Sequence, residues 1–235
     1  MDNISSKSSM QSYTLNELRP ARNLVLSSMG IENGVPVPDD VQFLFDEAMK
    51  GFNDLAKHIG LIKHINNETF EEILKGKGKN ENKIPLQGIV AKASHLALFV
   101  FILGEKVSHE IQQRIRDKDY PIGYMLDIIA SRSTELATVV QEKRFMDNIG
   151  FVSNQKALLY SPGYCGWHIT AQQKIFAYLK PERIGVKLNG SSLMSPIKSV
   201  TGIMVAGDRE AHNFKNNYNF CRSCKTFSCR ERMKT

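Results

Sequence analysis

The sequence predicts an α+β fold, and three observations carry that prediction. Apolar residues recur at helical spacing in several long segments, which indicates amphipathic helices. Helices alternate with strands along the chain, and two or three strand patterns then come late, which is typical of α+β proteins. No glycine-rich phosphate loop follows a strand, so the pattern does not fit a doubly wound dinucleotide-binding sheet.

Size and charge limit the classes of protein and partner. With 235 residues, the chain suits one domain with a peripheral extension, or two small domains. The net charge of +7 favours anionic partners. Basic side chains cluster at 75–83 and at 222–234, but no aromatic residues interleave with a basic strand and no nucleic-acid motif is present. Nucleic acid is therefore not an expected partner, and the 75–83 run is interpreted as a solvated connection.

Composition divides the chain into three parts. Residues 1–12 are polar and serine-rich and are predicted to be disordered, 13–210 form the α+β domain, and 211–235 form a basic tail that contains cysteines. The first eleven residues lack the apolar core of a signal peptide, and the longest apolar run, 96–103, is too short to span a bilayer. These features predict a soluble, cytoplasmic protein without a membrane partner.

The first helices are predicted from their end signals. Residues 20–29 begin with proline and are followed by Gly30, as is typical of a short helix. Asp39 and Asp40 then favour the start of a longer amphipathic helix, which is predicted to run to about Ile59.

The middle of the chain predicts one strand and two helices. The run ALFVFIL at 97–103 is apolar, β-branched and aromatic, which predicts a buried strand. A helix is predicted from Glu105 to about Asp117, and a longer one from Pro121 to about Phe145, with proline in its first turn.

The segment 160–202 is the most informative part of the chain. A Pro-Gly-Tyr turn leads into a loop of small residues and a short amphipathic helix, followed by a strand-like alternation at 184–188 and a second strand that opens at 199–202. Glycine and proline at this density let the backbone approach a flat ligand closely. Trp167 is expected to pack beneath the loop, and His168 to be part of the loop structure.

Four motifs in this segment carry a family resemblance. They are Pro-Gly-Tyr at 162–164, Gly-x-Lys-Leu at 185–188, Met-x-Pro at 194–196 and Ser-Val-Thr-Gly at 199–202. In this order they resemble the reactivation domain of cobalamin-dependent methionine synthase. The helix MLDIIASRSTELATVVQEKR is also similar to a helix of that family, including Ala130, Arg132 and Glu135, and the resemblance covers roughly residues 90–206.

The resemblance implies a fold, a reaction and partners. It implies a helmet-like α+β fold around a twisted antiparallel sheet flanked by helices. It also implies reductive reactivation of a corrinoid, in which oxidised cobalamin on a partner protein gains an electron and then a methyl group from S-adenosylmethionine. The implied partners are a corrinoid-binding methyltransferase protein and an electron donor such as flavodoxin or ferredoxin. Such a protein positions the reactants and excludes water.

The same resemblance assigns the site residues. Tyr164 would face the cobalt as the catalytic residue, and Glu135 would pair with the ammonium group of the methyl donor. The backbone of the loop would hold the rest of that donor; its residues are Ser161, Pro162, Gly163, Tyr164, Cys165 and Gly166. The structural alternatives are that Tyr164 is a half-buried turn residue and Glu135 a helix-surface carboxylate.

One position departs from the family pattern. The family has an arginine three residues before Pro-Gly, where its forked guanidinium would hold the carboxylate of the methyl donor. This chain has Leu159 there, which cannot make that contact, and Lys156 is the nearest upstream cation. The change to leucine therefore affects the expected binding of the methyl donor more than it affects the expected role in corrinoid reactivation.

The tail carries a second candidate site. Cys221, Cys224 and Cys229 have a spacing that can bind one metal ion, with a fourth ligand from His212, Cys165, an exogenous thiol or an open iron position. An iron–sulfur cluster would deliver the electron to cobalt, zinc would only stabilise the tail, and plain thiols are the third alternative. If the cluster is present and methyl-donor binding is lost, the protein would be a redox or docking module for a separate corrinoid methyltransferase.

Overall fold

The computed structural model describes residues 8–150 and 154–213, and within these ranges the chain forms two antiparallel sheets. The strands are β1 (Ser9–Ser12), β2 (Ile59–Ile65), β3 (His95–Ile102), β4 (Gln155–Tyr160), β5 (Lys187–Leu188), β6 (Met194–Ser195) and β7 (Ser199–Asp208). The main sheet has five strands in the order β1-β2-β3-β7-β4, and β5 and β6 form a separate ribbon.

Helices cover both faces of the main sheet. They are α1 (Leu15–Leu18), α2 (Arg22–Ser28), α3 (Asp39–Leu55), α4 (Asn67–Lys75), α5 (Pro85–Val90), α6 (Glu105–Arg116), α7 (Tyr120–Asn148) and α8 (Gln172–Leu179). Short 3-10 turns lie at Ile169–Ala171, Pro181–Ile184 and Arg209–His212. None of the helices in the described ranges has the length and apolar character needed to cross a bilayer.

Strand β3 lies at the centre of the core, which explains why its sequence is apolar from Leu96 onward. Leu96, Leu98 and Val100 pack with residues of α4, α5 and α8 on one face. Ala97 and Phe99 pack on the other face with residues of α7 and β4. A strand that is buried on both faces has no polar side to alternate with. The α+β prediction is confirmed, as are the predicted strand β3, the helices α6 and α7 and the start of β7.

Near the N-terminus, the helix predicted from Asp39 is confirmed, but its predicted end and the predicted disorder of 1–12 are wrong. The predicted helix from Asp39 ends at Leu55, because Ala56 is extended and the N–H of Lys57 donates to Leu103 O at 2.8 Å. The chain then enters β2, which was not predicted. Disorder was predicted for all of 1–12, yet Ser9–Ser12 forms β1, whose backbone pairs with the edge of β2.

The strand predicted at 184–188 is also largely wrong. Pro181–Ile184 forms a 3-10 turn that ends at Gly185, whose φ of 85° is left-handed. Only Lys187 and Leu188 pair as strand residues. The apolar alternation here reflects burial of single side chains, such as that of Val186, in the core.

Candidate functional site

The candidate loop begins where β4 ends against β7. Tyr160 is the last residue of β4 and pairs with Ile203. The neighbouring Gly202 lets the two backbones approach so closely that a Cβ atom there would lie 2.1 Å from the carbonyl oxygen of Tyr160. This contact fixes the point from which the loop leaves the sheet.

The loop 161–166 closes on itself through its own backbone. Gly163, Cys165 and Gly166 have φ values of 97°, 53° and 74°, in the left-handed region. The N–H of Gly163 donates to Trp167 O at 2.7 Å, and the N–H of Trp167 donates to Tyr164 O at 2.9 Å. The N–H of Gly163 is therefore used inside the loop, and ligand contacts would fall on other backbone groups.

Trp167 fixes the loop to the core from beneath, as predicted. Its side chain is 1% exposed and meets Phe70 edge to face, with ring centroids 5.8 Å apart. Its indole N–H is buried and has no hydrogen-bond partner within the described residues. The base of the loop is thus held by aromatic packing.

The lysine-rich segment 75–83 also holds the loop. The N–H of Glu81 donates to Gly166 O at 3.1 Å, and the side-chain oxygen of Asn80 accepts the N–H of His168 at 2.9 Å. The segment is therefore a structural support of the loop as well as the solvated connection expected from its charge. His168 itself accepts the N–H of Thr170 at 3.3 Å through Nδ1, which fits its expected role in loop structure.

Tyr164 points out from this fixed loop. Its side chain is 54% exposed, whereas the neighbouring Cys165 is half-buried. A phenol held on a rigid turn and open to solvent is suited to contact another molecule. The role assigned to Tyr164 stays a prediction at this stage.

One face of α7 contacts the start of β7 and the end of β4. Lys198 Nζ donates to Ser131 Oγ at 2.8 Å and pairs with Asp127 at 2.8 Å. Three turns further along, the carboxylate of Glu142 accepts the N–H of Leu159 at 3.1 Å. Lys198 and Glu142 were not predicted from the sequence, because their contacts join segments that are distant along the chain.

Glu135 lies on the same face of α7, between these two contacts. It follows Ser131 by four residues and precedes Glu142 by seven, and both spacings preserve the face of a helix. Its side chain is 63% exposed, and its carboxylate pairs with the guanidinium of Arg132 at 2.7 Å. The structure thus leaves a carboxylate accessible on the helix face that borders the end of β4.

Leu159 belongs to the core and not to the surface of the site. It is 7% exposed and packs with Phe145 and Met204 between α7 and the sheet. Lys156, the upstream cation, is an odd number of residues away in the same strand, so its side chain points to the opposite face. The structure does not bring Lys156 to the position that the family arginine would occupy.

The predicted metal ligands lie largely outside the described residues. Cys221, Cys224 and Cys229 are all beyond residue 213. Within 8–150 and 154–213, no group of three or more potential ligand side chains comes together. His212 already uses both ring nitrogens, with Tyr160 OH and Lys156 O at 3.0 Å each, which makes it a poor fourth ligand. A metal at the three cysteines stays a prediction.

Comparison with known proteins gives consistent results for family and fold. The family model described as vitamin B12 dependent methionine synthase, activation domain, matches residues 92–218, which is more than half of the chain. The crystal structure of the MetH reactivation domain bound to AdoHcy superposes with a TM-score of 0.62 at 14% identity, covering 97% of this chain and 89% of that one. A search of curated protein sequences gives no significant match. The expected fold is confirmed, and the chain belongs to the family of vitamin B12 dependent methionine synthase activation domains.

Proposed function

We propose that this protein reactivates a corrinoid protein by binding S-adenosylmethionine between loop 161–166 and α7 and by presenting Tyr164 to the corrinoid of its partner. The observation that carries this proposal is the exposed Tyr164 on a closed, core-anchored loop. The family membership and the solved relative with bound AdoHcy support it.

The side chains near the loop suit the methyl donor in charge. S-adenosylmethionine carries a cationic ammonium and a cationic sulfonium, and the exposed carboxylate of Glu135 is available to pair with the ammonium. The left-handed φ values at Gly163, Cys165 and Gly166 shape the loop, and backbone groups other than the Gly163 N–H and the Gly166 C=O would contact the adenosine part. When bound, the donor supplies the methyl group for reduced cobalt.

The residues of this chain supply positioning and exclusion of water. The anchor at Trp167 and the support from Asn80 hold the loop still, so Tyr164 is placed before the partner arrives. Its phenol O–H can hydrogen-bond to the face of the docked corrinoid. A rigid aromatic side chain also covers apolar surface at little entropic cost.

The proposed partners are a corrinoid-binding methyltransferase protein and a separate electron donor such as flavodoxin or ferredoxin. The net charge of +7 favours association with an acidic donor protein. If the cysteines of the tail bind an iron–sulfur cluster, that cluster would deliver the electron to cobalt. Metal analysis and an absorbance spectrum of anaerobically purified protein test that part separately.

The central test measures methylation of a corrinoid by this protein. Titanium(III) citrate reduces cob(II)alamin to cob(I)alamin in the presence of S-adenosylmethionine and the protein. Cob(I)alamin then takes the methyl group, which leaves S-adenosylhomocysteine, and methylcobalamin is followed by absorbance. We expect Tyr164→Ala to slow its formation at least about tenfold, because the face that positions the corrinoid is lost. Phe43→Ala is the matched control, since Phe43 is an aromatic residue on α3 whose exposure of 63% is similar to the 54% of Tyr164. Equal rates for wild type and Tyr164→Ala would contradict the proposal.

A further inference from the structure

We propose that Arg132 holds the carboxylate of the methyl donor, and that Arg132 and Glu135 together form a binding pair for its amino-acid end. This inference rests on the proposed function and adds the residue that takes the place of the missing arginine at Leu159. It makes Arg132 a binding residue that determines specificity for a donor with an intact carboxylate.

The guanidinium of Arg132 is held in place and keeps donors to spare. Its Nε donates to Ser28 Oγ at 2.7 Å, and Nη1 pairs with Glu135 Oε2 at 2.7 Å. The Ser28 hydroxyl in turn donates to Leu24 O at 2.7 Å, which fixes its orientation. Within the described part of the chain, Nη2 of Arg132 and Oε1 of Glu135 have no hydrogen-bond partner.

The charges of the pair match those of an α-amino acid. The donor carries an ammonium and a carboxylate on one carbon, so a carboxylate and a guanidinium side by side can bind both at once. A guanidinium presents parallel N–H groups that suit a carboxylate. Arg132 and Glu135 are 37% and 63% exposed, and an exposed pair at this helical spacing adds little to stability.

The other cations near the site are less suited to this task. Lys198 is 12% exposed, and its charge is already balanced by Asp127 at 2.8 Å. Lys156 points to the opposite face of β4 from Leu159. Arg132 is instead in direct contact with the carboxylate that the proposed function assigns to the donor's ammonium.

The experiment compares two ligands by isothermal titration calorimetry. S-adenosylmethionine and decarboxylated S-adenosylmethionine differ by the carboxylate alone. We expect wild type to bind the intact ligand about tenfold more tightly, and Arg132→Gln to lose that preference while its affinity for the decarboxylated ligand stays the same. Arg132→Lys should keep part of the preference, because a point charge remains. Lys198→Gln is the matched control and should keep all of it.

The outcomes separate this inference from the proposed function. Arg132 does not hold the carboxylate if wild type binds both ligands equally. The same conclusion follows if Arg132→Gln and Arg132→Lys keep the full preference for intact S-adenosylmethionine. In both cases the proposal that the protein binds the methyl donor still stands. If wild type binds neither ligand, donor binding and this inference fall together. Unfolding midpoints of each variant, measured alongside, show that a loss of affinity is not a loss of fold.

Discussion

Replacing Gly202 with alanine tests whether close contact of β7 and β4 sets the position of the loop. The new methyl carbon would lie 2.1 Å from Tyr160 O and 3.1 Å from a ring carbon of Phe99. Real Cβ contacts essentially never fall below 3.0 Å, so the end of β4 must move by at least the difference between 3.0 and 2.1 Å. A shift of that size strains the nearest ladder hydrogen bonds and the packing, so we expect a loss of roughly 2–4 kcal/mol in the free energy of unfolding.

Urea unfolding measures this loss, with Trp167 as the fluorescent reporter because it is the single tryptophan of the chain. Gly88→Ala is the matched control: Gly88 lies in α5, and nothing stands within 4 Å of its added Cβ. In a helix this exchange stabilises by roughly 0.5–1 kcal/mol. If Gly202→Ala changed the free energy of unfolding by less than about 0.5 kcal/mol, the inferred contact would not constrain the loop.

Three further predictions concern the surroundings of the site and the core. Burial lowers the pKa of His58 to about 4, so the unfolded chain binds the proton more readily than the folded chain, and stability should fall as the pH drops from about 6.5 to 4. His58→Gln should flatten that part of a plot of urea midpoint against pH. An unchanged slope would argue against a role of His58 in the pH dependence. Asn80→Ala should lower the free energy of unfolding by about 1–2 kcal/mol in urea, because the N–H of His168 loses its acceptor. The control Asn82→Ala changes an exposed residue and should have little effect. Equal urea midpoints for the two variants would refute the support of the loop by Asn80. Trp167→Ala should cost about 3–5 kcal/mol. Trp167→Phe should cost much less, because it keeps an aromatic ring and removes a buried N–H that has no partner among the described residues; thermal unfolding by circular dichroism distinguishes the two.

The parts of the fold that the sequence predicts well are those whose pattern is local. From Leu96 onward strand β3 is apolar because both of its faces are buried, and α7 keeps helical spacing over many turns. Strand β2 was missed because IGLIKHI does not alternate and follows closely after α3. It is a strand because Ile59 to Ile65 pair with β3, which is information that lies outside the segment. The polar β1 is ordered for the same reason.

The candidate site divides in the same way. The loop 161–166 could be located from its glycines and proline, whose conformational preferences act within a few residues. The support of this loop by Asn80 and Glu81 could not be predicted, because those contacts join residues that are more than 80 positions apart in the sequence. The ion pair of Lys198 with Asp127 joins a strand to a helix and is likewise visible only in three dimensions.

The position of β2 in the sheet affects how the polypeptide can be shortened. The family's sequence pattern begins at residue 92, yet the outer neighbour of β3 is supplied by residues 59–65. A fragment that starts at residue 92 would keep β3, β7 and β4. It would lose β2, so the backbone amide and carbonyl groups along one edge of the apolar strand β3 would be unpaired. Unpaired apolar strand edges pair with the same edge of another molecule, so the first third of the chain protects the protein against aggregation.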